Sequence, residues 1–225
     1  MRTLFTFLAA AILSLYSIPA GAVALTFDDI AVDSTGLGVV GDHYQNAELT
    51  WSNFYVMNRN LNPVVSGFSI GVMSPNQLAF NGALGDTGIA MPASLSSSKL
   101  FTFNGGSFIA GWNDGLTLLI TGLKAGAEVY TREITLSASS IFSLADLNWL
   151  VDEVTFFSYG GEAHGYTGGH GTAFGVDNLR FGGLPDGDTI DNVPGRIPDV
   201  PLPAALPLFL CGMAGLGIVA RRRKV

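Results

Sequence analysis

The residues best suited to chemistry in this chain of 225 residues are four oxygen-bearing side chains near the two ends of its β-rich part. Asp28 and Asp29 follow the first apolar segment, and Asp177 and Asn178 lie in the last one. If the first and last strands lie side by side, these oxygens converge, and Ca²⁺ prefers such oxygen ligands. The sequence therefore indicates a candidate structural calcium site. The alternative, which we favour because no D-x-D-x-D-G loop is present, is that these side chains satisfy backbone groups of turns and edges.

The glycine-rich segment 160–171 contains a second candidate group, Glu162, His164 and His170. A glutamate and two histidines can bind a metal or act as an acid–base pair. Their spacing matches no signature of the H-E-x-x-H kind, so a solvated loop between the last two strands is the favoured interpretation.

Aromatic side chains form the third candidate group, because their faces stack on the C–H faces of sugars. Trp112 follows a strand and borders the turn Asn113-Asp114-Gly115, so it is the better exposed candidate for ligand binding. Tyr166, in the glycine-rich segment, is the second candidate. Trp51 alternates with Leu49 along a strand and is expected in the core.

Signatures of catalysis do not occur in the sequence. There is no G-x-S-x-G elbow of a serine hydrolase. Sequential carboxylates such as Asp152 and Glu153 point to opposite faces of a strand. A pair assembled from distant strands is left open, but we expect no catalytic residues and a protein that is not an enzyme.

The elements that must position these residues read as short strands. Alternating apolar segments separated by Gly, Asn, Asp and Ser are typical of antiparallel sandwiches and barrels. The strands are expected at Leu25–Ile30, Ala47–Met57, Phe68–Val72, Gln77–Phe80, Lys99–Phe103, Ser107–Trp112, Leu116–Leu123, Ala127–Leu136, Val151–Tyr159 and Thr172–Phe181.

Two details of this pattern are specific enough to check. Leu116–Thr121 is nearly continuous in apolar character, which predicts a central strand, and Gly122–Gly126 predicts a hairpin into the next strand. In that next strand, Glu128, Tyr130 and Arg132 are expected to face outward. Ser143–Leu150 is the one segment expected to form a helical turn.

Composition and charge agree with an all-β protein that does not bind nucleic acid. The chain is 48% hydrophobic and 13% charged, with 29 glycines and 15 phenylalanines, which favours strands over helices. Residues 25–200 carry six basic and 18 acidic side chains, a net charge of −12, which repels phosphates. The only cysteine, Cys211, lies in the C-terminal apolar run, so the body has neither a disulfide nor a thiol nucleophile.

The two ends carry targeting patterns. A basic start, an apolar stretch and small residues up to Ala24 predict a secretory signal peptide over 1–24. The apolar run 204–220 is about long enough to cross a bilayer as a single helix, and the basic residues after it favour a cytoplasmic C-terminus. We expect a β-sandwich domain over 25–182, a flexible acidic linker over 183–199 and a sorting segment over 200–225.

The last 26 residues resemble the PEP-CTERM sorting signal of Gram-negative bacteria, in its Val-Pro-Leu-Pro form. The resemblance rests on a short motif, an apolar helix and a terminal basic cluster, formed by Val200, Pro201, Leu202, Pro203, Arg221, Arg222, Arg223 and Lys224. It implies that exosortase processes the protein at the inner membrane and releases the body to the cell surface or the extracellular matrix. Leu202 replaces the Glu that gives the motif its name. An ordinary tail anchor is the alternative.

The body resembles carbohydrate-binding-module-like jelly rolls. The matching pieces are Leu119–Leu123 with Gly126–Val129, Val151–Phe156, Phe174–Phe181 and the opening strand from Leu25. This resemblance implies an antiparallel β-sandwich of jelly-roll type, and it places Asp177 where such modules hold a structural calcium. Activity does not carry over from a likeness of fold.

These patterns together predict an exported, non-catalytic protein that is structural or associated with extracellular polysaccharide. A secreted hydrolase acting on matrix polysaccharide and a protein-binding adhesin are the alternatives. A sugar binder requires exposed, coplanar aromatic rings on one sheet face, whereas an enzyme requires a concave pocket with convergent carboxylates or a histidine partner.

Overall fold

The structure, a computed structural model, describes residues 23–41, 43–44, 48–82 and 87–182. The first strands in this part of the chain are β1 (Val23–Leu25), β2 (Leu37–Val39), β3 (Leu49–Ser52), β4 (Phe54–Asn58), β5 (Gln77–Asn81) and β6 (Ala93–Ala110). The later ones are β7 (Asn113–Asp114), β8 (Leu116–Lys124), β9 (Ala127–Leu136), β10 (Phe142–Leu144), β11 (Trp149–Tyr159), β12 (Glu162–Ala163) and β13 (Phe174–Gly182). A short helix, α1 (Gly67–Gly71), lies between β4 and β5.

Strand pairing among the described residues is antiparallel and forms one sheet of 11 strands and a two-stranded sheet of β7 and β12. The strands of the large sheet follow the order β2-β4-β5-β13-β6-β11-β8-β9, with β1 beside β13 and with β3 and β10 beside β6. β6 joins two halves of the sheet, because residues 93–97 pair with β3 and β11 whereas residues 105–110 pair with β13 and β10. The result is a sandwich-like body, which confirms the predicted all-β antiparallel class.

The core between the two halves is aromatic. The ring of Phe156 lies 5.7 to 6.2 Å, centroid to centroid, from the rings of Phe54, Phe103, Phe108 and Phe174. All five side chains are fully buried. Edge-to-face and tilted ring pairs of this kind each add about 0.5 to 1.5 kcal/mol beyond the burial of their area.

The expected strand at Phe68–Val72 is wrong, because this segment forms helix α1. Phe68 and Val72 are four residues apart, a spacing that alternation along a strand and one face of a helix both satisfy. Ile70 distinguishes a helix from a strand here. In a strand it would share a face with Phe68 and Val72, yet it is exposed while both of them are buried. Gly67 fits the helix against β6, where an added Cβ would lie 1.9 Å from the carbonyl oxygen of Ala110.

Two expected strands, Lys99–Phe103 and Ser107–Trp112, belong to one strand, β6. Gly105 has a φ of 113°, and a Cβ there would lie 2.2 Å from the carbonyl oxygen of Leu144. This glycine therefore allows β10 to lie close to β6. It also allows β6 to continue across residues 104–106, where the sequence suggests a break between two strands.

Residues in the left-handed backbone conformation explain two further differences between the expected and the observed elements. Ser143–Leu150 forms β10 and the start of β11 instead of a helical turn, because Asp146 and Asn148 have φ angles of 61° and 52°. The expected strand Ala47–Met57 is divided at Asn53, which has a φ of 55°, into β3 and β4. These two strands belong to different halves of the sheet.

β8 is a central strand, paired with β11 and β9, and the hairpin at residues 125–126 confirms the predicted turn. The side chains of Glu128, Tyr130 and Arg132 on β9 are all exposed, as expected. They do not share one face of the strand, because Tyr130 and Arg132 pair with the buried Gly122 and Ile120, whereas Glu128 pairs with Leu123. The physical reason is a bulge next to Gly122, which adds a residue and shifts the alternation of β9.

The expected linker and sorting segment, and the signal peptide apart from its last two residues, lie outside the described residues. Within the described part of the chain, no helix is both long and apolar enough to cross a bilayer.

Candidate functional site

Asp28 and Asp177 converge on one loop, residues 73–77, between α1 and β5. Asp177 Oδ2 accepts hydrogen bonds from the amide N–H groups of Met73 and Ser74, both at 2.7 Å. Asp28 Oδ1 accepts hydrogen bonds from the two amides of residues 76–77, at 2.8 and 3.0 Å. We call these two carboxylates and their loop the acidic clamp. β1 pairs with β13, which brings the two aspartates to the same end of the body, as expected.

Burial controls the electrostatics of the clamp. The Asp177 side chain is fully buried, and burial raises the pKa of its carboxyl to about 6. Three backbone donors oppose that rise, since Oδ1 also accepts the amide N–H of Asn178 at 2.6 Å. Asn178 has a φ of 51°, a left-handed conformation in which its amide can turn back to the preceding carboxylate.

Asp29 contacts a different pair of residues. Its Oδ2 lies 2.8 Å from Nε2 of His43, and its Oδ1 accepts a hydrogen bond from the hydroxyl of Tyr44 at 2.9 Å. Tyr44 is buried, and this burial, together with the charge of Asp29, raises the pKa of its phenol. Asp29 therefore stabilises the segment around residues 43–44.

The calcium site stays a prediction. Asp28 Oδ2 and Gln77 Oε1 are buried and have no hydrogen-bond donor among the described residues, so both oxygens are suited to a cation. The described ranges contain no group of three or more His, Cys, Asp or Glu side chains arranged to hold a metal ion. Since amides already engage the oxygens of Asp177, an ion here would need amide, carbonyl or water oxygens beside the Asp28 carboxylate.

His164 links the glycine-rich segment 160–171 to β7 through a side-chain contact. Its Nδ1 contacts Oδ2 of Asp114 on β7. The other oxygen of Asp114 accepts hydrogen bonds from the hydroxyl of Ser137 and the amide of Ala138, both at 2.9 Å. These contacts, that of His164 first among them, lower the pKa of Asp114. The loop is thus held by β7 and the turn after β9.

Trp112 lies in the wall of a half-open pocket of about 270 Å³ at the loop end of the body. The ring of Phe68 lies 5.2 Å from that of Phe80 and 5.8 Å from that of Trp112, so three aromatic rings line it. His170 also lines the pocket. The described residues that line the pocket include no carboxylate. We call this cavity the end pocket.

Tyr166, the second aromatic candidate, has a structural partner. Its hydroxyl donates a hydrogen bond to the carbonyl oxygen of Ala138 at 3.0 Å, and its ring lies 4.4 Å from that of His164. It is not among the described residues that line the end pocket. Trp51 is 7% exposed and packs in the main core, which confirms its expected position.

The outer face of β11, β8 and β9 carries two exposed aromatic residues that the sequence analysis did not single out. Phe157 and Tyr159 are 42% and 40% exposed. Their ring planes are 27° apart and their centroids are 5.4 Å apart, and we call them the aromatic pair. The Tyr159 hydroxyl donates a hydrogen bond to Glu133 of β9 at 3.1 Å, which directs the ring across β8. This bond also raises the pKa of Tyr159.

The sequence of β11 does indicate the aromatic pair, through the alternation of buried and exposed positions along the strand. Val154, Phe156 and Ser158 are buried, so Phe157 and Tyr159 must face outward. Sequence reasoning favoured Trp112 because of its neighbouring turn. A test of which aromatic residues occupy the outward positions of a strand would have found the pair.

Comparison with known proteins finds distant structural likenesses. No family model matches the chain, and no curated protein matches it. Among solved structures, the K2 cleaved adhesin domain of Lys-gingipain is 13% identical, with a TM-score of 0.43 over 72% of this chain and 99% of that one. TmCBM61 in complex with β-1,4-galactotriose is 12% identical, with a TM-score of 0.33 over 68% of this chain and 99% of that one. These scores are too low to carry a ligand or an activity over to this protein.

Proposed function

We propose that the protein is an exported, non-catalytic β-sandwich that binds polysaccharide on the outer face of β8, β9 and β11. The observation that carries this proposal is the aromatic pair. Two near-parallel rings stand exposed on β11 where this strand pairs with β8, and the hydrogen bond from Tyr159 to Glu133 helps to hold them in place before any ligand arrives. Aromatic faces bind the apolar C–H faces of sugars, and the hydroxyl of Tyr159 adds a polar group beside them.

The surroundings of the pair support a sugar ligand. The same face carries threonines at outward positions of all three strands, among them Thr117, Thr121 and Thr155. Hydroxyl groups both donate and accept hydrogen bonds, which matches the chemistry of sugar hydroxyls. A protein partner would instead favour a larger continuous apolar patch than two rings and the half-buried Leu119 and Leu123 provide.

The same geometry supports a binding role without catalysis. A glycosidase requires two carboxyl groups on either side of the scissile bond. The described residues that line the end pocket contain one titratable side chain, His170, and the carboxylates of the acidic clamp are engaged by backbone amides.

Export and sorting belong to the same proposal and rest on the sequence. Residues 1–24 act as the signal peptide, residues 183–199 as a linker, and residues 200–225 as the segment that exosortase recognises. The cell surface or the extracellular matrix, where polysaccharide is abundant, is then the final location of the body. Removal of residues 204–225 is expected to abolish membrane retention and processing, and unchanged sorting would refute this part.

Retention on polysaccharide tests the binding role. The full-length protein is passed over a panel of insoluble polysaccharides, beside the double variant Phe157→Ala/Tyr159→Ala. Loss of both rings is expected to weaken retention about tenfold or more. Tyr130→Ala is the matched control, because Tyr130 is similarly exposed but lies on the opposite face of β9. Equal retention of the double variant and the wild type would refute the proposed site.

A further inference from the structure

Five hydroxyl side chains form one row across five neighbouring strands of the outer face. Ser52 of β3 pairs with Ser94 of β6, which pairs with Thr155 of β11. Thr155 pairs with Thr121 of β8, which pairs with Thr131 of β9. Directly opposed residues share a face of the sheet, so this hydroxyl row lies on the face that carries the aromatic pair. It crosses four strand spacings, a length of about 19 Å.

The hydroxyl row is open to a ligand. The hydroxyls of Ser52, Ser94, Thr121 and Thr155 make no hydrogen bond within the described part of the chain. Thr131, at the end of the row, donates to Glu128. Ser94, Thr121 and Thr155 each stand between two buried residues of their strand, which fixes the direction of their side chains. The row is therefore set by the register of the sheet.

Acidic side chains flank the row. Glu153 stands two residues from Thr155 on β11, and Glu133 stands two residues from Thr131 on β9. Both lie on the outer face, because each occupies the same side of its strand as the row. Carboxylates within about 7 Å of a binding chain repel uronate and sulfate groups at ordinary ionic strength.

We infer that the ligand is an uncharged, extended, β-linked polysaccharide that lies across the strands along the hydroxyl row. The spacing of neighbouring strands, about 4.8 Å, is close to the length of one sugar residue in such a chain, so successive hydroxyls meet successive sugars. Phe157 stands two residues from Thr155 and stacks on one sugar of the chain. This inference rests on the proposed function and adds the charge, shape and direction of the ligand.

The test compares two matched oligosaccharide series of two to six residues, β-1,4-mannose and β-1,4-mannuronate, by calorimetric titration of the full-length protein. They have the same linkage and differ by a carboxylate on each sugar. Affinity for the neutral series is expected to rise with length up to about four or five residues, the reach of the row. The mannuronate series is expected to bind at least tenfold more weakly at low salt.

Variants of the row separate this inference from the proposed function. Thr121→Val and Thr155→Val keep the branched shape and remove the hydroxyl, and each is expected to weaken binding of the longest neutral oligosaccharide about threefold. Thr102→Val, on β6 outside the row, is the matched control and should bind as the wild type does.

Three results would overturn the inference: no binding of the neutral series, equal affinity for the charged series, or unchanged binding by both row variants. If, in any of these cases, the protein is still retained on the polysaccharide panel and loses this retention in the Phe157→Ala/Tyr159→Ala variant, the proposed function stands. The inferred nature of the ligand is then wrong.

Discussion

The acidic clamp and the outer face of β8, β9 and β11 are both rich in groups that bind ligands, yet they use them differently. In the clamp, Asp28 and Asp177 bind amide N–H groups of the loop 73–77. On the outer face, Phe157 and Tyr159 pack chiefly against each other and remain exposed. The clamp thus stabilises the fold, whereas the aromatic pair is available to a ligand.

This difference teaches that residue type alone is a poor guide to function here. The carboxylates of Asp28 and Asp177 look like metal ligands in the sequence, but backbone amides satisfy most of their oxygens in the fold. Phe157 and Tyr159 of β11 look ordinary in the sequence, but both remain exposed after folding. Variants of the acidic clamp should therefore change stability, whereas variants of the aromatic pair should change binding.

The largest effect is expected for Asp177→Ala. The substitution leaves the buried amide of Ser74 and the part-buried amide of Met73 without an acceptor, so unfolding free energy should fall by about 2 to 4 kcal/mol. Denaturant unfolding measures this loss. Polysaccharide retention at a temperature where the variant is folded should equal that of the wild type, and weaker retention would mean that the two regions are not separate.

Asp177 should also make stability depend on pH. Its pKa is raised to about 6 in the folded protein, above the value of 3.8 for a free side chain. The stabilisation linked to the protonated carboxyl is therefore complete below about pH 4 and is lost as the pH rises through about 6. The expected loss is about 3 kcal/mol.

Asp177→Asn isolates this contribution, because asparagine does not titrate. Unfolding free energies of both proteins between pH 4 and 7.5 measure it, and the three histidines contribute equally to each. Parallel pH profiles would contradict the assigned pKa.

Removal of calcium tests the predicted ion. If calcium binds at Asp28, free calcium at a hundredfold excess over its dissociation constant stabilises the fold by about 2.7 kcal/mol, and EDTA should remove that gain. Thermal unfolding with and without EDTA measures it, and Asp28→Ala should abolish the sensitivity. A calcium-loaded preparation that unfolds at the same temperature with EDTA would show that the clamp holds its loop without an ion.

The smallest effect is expected for Tyr159→Phe. This substitution keeps the ring and removes the hydrogen bond to Glu133, so the ring loses its anchor but not its stacking surface. Polysaccharide affinity should fall only about threefold, and thermal stability should not change measurably. A loss as large as that of the double alanine variant would mean that the hydroxyl, and not the aromatic surface, dominates binding.

The sequence predicted the sandwich because alternation is a local property. β8 and β9, and the pairing of the first and last described strands, follow from patterns of a few residues. The elements that were wrong depend on contacts with distant parts of the chain. Gly67 allows α1 to approach β6, and the bulge beside Gly122 places Tyr130 on the opposite face of β9 from Glu128.

The candidate site was predicted less well for a related reason. The convergence of Asp28 and Asp177 was foreseeable from strand order, but their amide partners on the loop 73–77 were not. The hydroxyl row depends on the register of four strand pairs, which no single segment encodes. Only the outward position of the aromatic pair was readable from one strand.

The most direct test of the central claim is hydroxyl-radical footprinting of the full-length protein with and without a polysaccharide that it retains. Mass spectrometry reports oxidation at each exposed aromatic residue. Binding through the outer face predicts protection of Phe157 and Tyr159, with Trp112 in the end pocket oxidised equally in both samples. Protection of Trp112, with the aromatic pair oxidised as before, would contradict the account and place the ligand in the end pocket.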